Sequence, residues 1–107
     1  MLSESIVDCF EKAITPKFGE NVYRVIFANY EVKFGLKNKD LVSHPKEFEQ
    51  LLDEIFGTGL ASGLIKRAIF EELANRFPIF EPLYYERRQN KDSIVSVAIG
   101  EILRNAE

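Results

Sequence analysis

The chain has 107 residues, of which 46% are hydrophobic, 29% charged and 12% aromatic. That is the size and mix of a single globular domain over residues 1–107, too short for two cores and too apolar for a disordered tail. Fourteen Lys/Arg against seventeen Asp/Glu leave a formal charge of −3, so the chain as a whole repels nucleic acid, and one cysteine excludes an internal disulfide framework.

Helical periodicity dominates the reading along the chain. Ser3 to Ile14 sets Ile6, Val7, Phe10, Ala13 and Ile14 on one stripe, with Ser3 or Ser5 as cap and Pro16 where the helix ends or bends. A second segment, from about Phe18 to Phe34, is apolar over most of its circumference through Val22, Tyr23, Val25, Ile26, Phe27, Tyr30 and Phe34. Such a helix is expected at the centre, touched on several sides. Gly35 is placed to stop it in the left-handed conformation, with Leu36 folding back.

The third helix is expected from Ser43-His44-Pro45, because proline in a first turn lacks only an amide hydrogen that has no partner there. Phe48, Leu51, Leu52, Ile55 and Phe56 form its buried stripe, with Glu49, Asp53 and Glu54 facing water, and Gly57-Thr58-Gly59 ends it. A fourth helix, Leu60 to Phe77, buries Leu64, Ile65, Ala68, Ile69 and Leu73 and stops at Pro78. Residues 78–91, PIFEPLYYERRQNK, lack clean periodicity and read as an irregular aromatic arm. A fifth helix, residues 92–105, starts at an Asp92-Ser93 cap and carries the stripe Ile94/Val95, Ala98/Ile99, Ile102/Leu103. No β alternation, repeat or low-complexity stretch occurs, so the expected fold is all-α, a compact bundle of about five helices. The most apolar stretch, Val22 to Phe34, is interrupted by Arg24, Asn29, Glu31 and Lys33, so no membrane span is expected. The opening Met-Leu-Ser-Glu-Ser lacks the basic and apolar regions of a signal peptide, which points to the cytoplasm.

Residues 19–35, GENVYRVIFANYEVKFG, run directly into LKNKDLVSHPKEFEQLLDEIFGTGLA. The order Gly-Glu-x-Val, Ile26-Phe27, Tyr30-Glu31, Phe34-Gly35-Leu36, Asp40-Leu41, Pro45, Glu47-Phe48 and Glu54-Ile55-Phe56-Gly57 resembles a small archaeal helical domain, the Nitrosopumilus output domain, type five. The resemblance covers about residues 5–77 and implies an archaeal, intracellular helical unit found alone or joined to signalling and regulatory modules. It supplies no catalytic residues to carry over. Lys66-Arg67, with positive charge early in the fourth helix, depart from it, and the arm and fifth helix lie beyond the matched span.

The constellations that carry chemistry are sparse. Gly57-Thr58-Gly59-Leu60-Ala61-Ser62-Gly63 has a glycine-rich spacing, but a helix precedes it where a dinucleotide site needs a strand. Its expected role is a tight corner, with Ala61 and Gly63 permitting close helix packing. Cys9 and His44 stand alone, the first read as a buried apolar residue and the second as an exposed cap, so neither a metal nor a cofactor is expected. Asp53/Glu54 and Glu71/Glu72 are adjacent, and neighbours on a helix diverge by about 100°, which keeps either pair from converging on a substrate. The expected function is a binding or signalling output module without catalysis.

Function is sought in the arm and the fifth helix. Tyr84, Tyr85, Arg87 and Arg88 combine large contact area with several hydrogen bonds, and Ile94 and Val97 are expected to stay partly exposed beside them. Their partner is an unidentified protein, a second copy of the chain among the candidates. The arm equally suits a strap that tucks Phe77, Ile79, Phe80 and Leu83 onto the bundle. The rival function is a nucleic-acid-associated accessory protein using Lys66, Arg67, Arg87 and Arg88.

Overall fold

Aliphatic residues at helical spacing become five α-helices in the computed structural model, which describes residues 2–57, 59–77 and 94–106. They are α1 (Leu2–Phe18), α2 (Glu20–Phe34), α3 (Pro45–Phe56), α4 (Leu60–Arg76) and α5 (Ile94–Ala106), with a 3-10 turn at Asn38–Asp40. No strand occurs among the described residues, and the fold is the all-α bundle expected from periodicity. The arm at 78–91 and the Asp92-Ser93 cap lie outside the described residues. No helix among the described residues is long and apolar enough to cross a membrane.

α1 packs against α2 and α4, while α3 packs against α2, α4 and α5, and α5 also lies along α4. The core they enclose includes the aliphatic Ile6, Ile14, Ile65, Ile69 and Leu73, all essentially inaccessible to water. It also holds an aromatic cluster. Phe48 of α3 meets Phe10 edge-on at 5.1 Å between ring centres, Phe27 at 5.4 Å and Tyr30 at 5.7 Å. The buried Tyr30 hydroxyl donates to the backbone oxygen of His44 at 2.8 Å, tying α2 to the entrance of α3.

Two glycines set the joints of α2. Phe18 and Glu20 belong to different helices, and the single residue between them, Gly19, turns the chain at φ 103°. Periodicity alone starts α2 at about Phe18 and does not reveal this break. Gly35 ends α2 as expected, at φ 69° and ψ 24°, donating its amide to Glu31 at 2.8 Å. A Cβ at Gly35 would meet nothing within 4 Å, so the penalty for a side chain there is purely conformational. Gly35→Val should therefore lower stability by about 1–2 kcal/mol, read as a shift in urea midpoint, with Gly35→Asn costing less because Asn tolerates that conformation.

Several local expectations are corrected. α1 starts at Leu2, so Ser3 and Ser5 lie inside it rather than capping it. Pro16 also lies inside α1, within its last turn, where it removes one amide donor and the helix still reaches Phe18. Pro45 opens α3 as expected, but His44 occupies the cap position with no side-chain capping bond. Leu64, expected in the core, is 51% exposed, and Gly63 faces open space rather than a neighbouring helix. α2 is peripheral rather than central: it touches α1 and α3 and leaves Val25 and Val32 in water.

Candidate functional site

A helix buried on three sides leaves little room for polar side chains, and those of α3 and α4 that do go inside converge on one junction. Glu49, expected to face water, is 3% exposed, and Lys66 is 2% exposed. Glu49 lies three residues before Leu52 and seven before Phe56, within the inward stripe of α3. Lys66 shares the face of α4 that carries Ser62, Ile69 and Leu73. The spacing was the available signal; residue type argued the other way.

The Glu49 carboxylate crosses from α3 to the first turn of α5. One oxygen accepts the Val95 amide at 3.0 Å, and the other accepts the Ser96 amide at 3.1 Å together with the Ser96 hydroxyl. Helix amino termini present amide hydrogens without intrahelical partners and favour negative charge, so the carboxylate acts as a cap supplied by another helix. Burial pushes the Glu49 carboxyl above its ordinary value of 4.5, and the bonds from Ser96 and Val95 and the nearby Lys66 only partly offset it.

One turn further along α3, Asp53 serves α4. A single Asp53 oxygen accepts the Ser62 hydroxyl at 2.7 Å and the Lys66 ammonium at 3.0 Å. Burial opposes the ionisation of Asp53, but the hydrogen bonds from Ser62 and Lys66 outweigh it and hold the carboxyl below 3.8. Ser62 and Lys66 stand four residues apart, a spacing at which a lysine amine can activate a serine. In this junction both donate to the same carboxylate, and Ser62 is 1% exposed, so the hydroxyl is presented to α3 rather than to a substrate. The arrangement joins α3, α4 and α5 and leaves neither side chain aimed outward as a nucleophile.

The remaining candidates separate in space or in accessibility. Cys9 is fully buried as expected, its thiol against the Glu72 carbonyl at 4.0 Å, and burial raises its pKa. His44 is exposed, with Nδ1 3.6 Å from the Glu47 carboxylate. Asp8 draws Arg76 across the α1–α4 seam at 2.9 Å and Lys12 within α1 at 3.3 Å. Among the described residues, no three His, Cys, Asp or Glu side chains gather as a metal site would require.

Of the residues expected to bind a partner, Ile94 is corrected: it is 6% exposed and packs in the core, because α5 turns its first residue toward the bundle. Val97 is half-buried against the same core, and Tyr84, Tyr85, Arg87 and Arg88 lie outside the described residues. The nucleic-acid set loses Lys66 to the Asp53 junction, whereas Arg67 is exposed and pairs with Glu71 at 3.4 Å. Among the described residues, the large apolar side chains left in water are Val25, Val32, Leu60 and Leu64. Compared with known proteins, the chain matches no family model, no curated sequence and no solved structure.

Proposed function

We propose that the chain is a protein-interaction module, a signalling or regulatory output unit of the kind its resemblance to the Nitrosopumilus output domain, type five, implies. It acts inside an archaeal cell, in the cytoplasm, and performs no chemistry of its own. The observation that carries this reading is the pair Leu60 and Leu64, one turn apart on α4 and 79% and 51% exposed. Leucines that a bundle does not use internally favour contact with another apolar surface. Meanwhile the buried polar side chains Glu49, Asp53, Ser62 and Lys66 are committed to joining helices. Tyr84, Tyr85, Arg87 and Arg88 belong to the proposed partner surface, with Val97 at its edge. Nucleic acid is the weaker reading, because the burial of Lys66 leaves it Arg67, Arg87 and Arg88.

The test is capture from native cell extract on the immobilised chain at low and high salt. An apolar interface tolerates salt, whereas phosphate contacts weaken steeply with it. The expected result is a protein retained at high salt and lost from both Leu60→Glu/Leu64→Glu and Tyr84→Ala/Arg88→Ala, with the thermal transition of each variant unchanged. Retention that disappears with nuclease treatment or high salt overturns the reading in favour of nucleic acid.

A further inference from the structure

The outward face of α2 has a pattern that matches itself. Opposite the buried Ile26 and Tyr30, the helix shows Arg24, Val25, Ala28, Glu31 and Val32 to water, and Val32 is 86% exposed. Arg24 and Glu31 lie seven residues apart on one flank, and Val25 and Val32 lie seven apart along the adjacent line. Seven residues are two turns, about 10.5 Å along the axis, and return to nearly the same side of the helix. Ala28 stands midway between both pairs.

We propose that α2 is the contact face of a symmetric homodimer in which two copies of this helix pack antiparallel about a two-fold axis through Ala28. That axis preserves the flank and reverses the direction, so Arg24 of each copy faces Glu31 of the other, and Val25 of each faces Val32 of the other. A parallel pair would set the Arg24–Glu31 flank against the flank carrying Asn29, and the charge match would be lost. The small Ala28 at the crossing lets the axes approach to about 8 Å, the short end of the range for packed helices. The arrangement is isologous, with the same patch used twice, and it closes at two chains.

The groups on this face make the association inexpensive. Asn29 satisfies its amide on its own helix, donating to the Val25 carbonyl at 2.8 Å, so it needs no partner across the axis. Arg24 pairs with Glu20 in a solvent-exposed i, i+4 contact, and such contacts are worth little, so turning toward Glu31 of the second copy sacrifices little. One helix face buries less than the roughly 1,200 Å² of a standard stable interface, so the association belongs to the weak, transient class. This interface is independent of the partner surface proposed above, since it uses no residue of α4, α5 or the arm.

Sedimentation equilibrium from about 10 μM to about 1 mM in low salt tests the proposal. The wild-type chain should pass from monomer to dimer over that range without larger species. Val32→Glu, at an exposed position, should keep the thermal transition and weaken the dimer by about tenfold or more. Arg24→Glu should weaken it similarly, by setting the introduced carboxylate against Glu31 of the second copy, and Arg24→Glu/Glu31→Arg should recover it to within about threefold. Tyr84→Ala/Arg88→Ala should leave the dimer unchanged, which separates this interface from the other surface. A chain that stays monomeric throughout, a dimer indifferent to Val32→Glu, a double reversal no better than Arg24→Glu, or a dimer lost with Tyr84→Ala/Arg88→Ala overturns the proposal.

Discussion

Glu49→Ala should lower stability by about 3 kcal/mol and loosen α5 first. The substitution removes the acceptor for the Val95 and Ser96 amides, and a buried amide left without a partner costs about 1–3 kcal/mol. Val95 is fully buried, so water cannot replace the lost acceptor there without opening the α3–α5 contact. Amide hydrogen exchange should accelerate along α5 before it does in α1 or α4. An unfolding free energy within about 0.5 kcal/mol of wild type would show that the cap contributes nothing.

The same carboxyl gives stability a distinctive dependence on pH. Its folded pKa is raised above 4.5, so between 4.5 and that higher value the native state holds a proton that the unfolded chain has released. The contribution is therefore fully present below 4.5 and is lost as pH rises through the folded value. Asp53 works in the opposite sense: its folded pKa lies below 3.8, and its contribution is lost as pH falls through that lowered value. Glu49→Gln should abolish the Glu49 slope, since the amide does not titrate. It should also cost stability at every pH, because its NH₂ group faces amide donors where the carboxylate had an oxygen.

Phe48→Ala is expected to be more damaging still, by about 3–5 kcal/mol. Phe48 is wholly buried and packs against Phe10, Phe27 and Tyr30, so its removal opens a cavity where α1, α2 and α3 meet. Tyr30 cannot swing in to fill the space, because its hydroxyl is anchored on the His44 carbonyl. For a domain with a total stability of about 5–15 kcal/mol, this loss approaches unfolding at ambient temperature. Phe48→Leu retains most of the volume and should cost about half as much. Urea denaturation of both variants measures the difference, and equal effects would mean that the aromatic contacts of the ring, rather than the volume it fills, carry the stability at this site.

The helices themselves are legible in the sequence because their signals are local. Gly35 ends a helix for reasons contained in its own backbone, and Pro45 opens one because its missing hydrogen is not missed there. The polar junction is not legible in the same way. Glu49 reads as solvent-facing by residue type, and only the arrival of α5 from 46 residues away supplies the amides that make its burial tolerable. Lys66 reads as part of a basic surface for the same reason, since Asp53 reaches it across a turn between two helices. Leu64 and Val25 fail in the other direction: apolar type predicts burial, but both lie on the sides of α4 and α2 that face water. The candidate binding residues in the arm, Tyr84, Tyr85, Arg87 and Arg88, lie beyond the described residues and remain part of the proposal.

The chain's single thiol has a practical consequence. Cys9 is fully buried between α1 and α4, and burial keeps it protonated, so alkylating reagents find neither access nor thiolate in the native state. Its modification must wait for α1 to part from α4, which turns the labelling rate into a clock for that opening. With no second cysteine in the chain to share the signal, one mass shift counts one event, and any ligand that grips this seam will announce itself by slowing the clock.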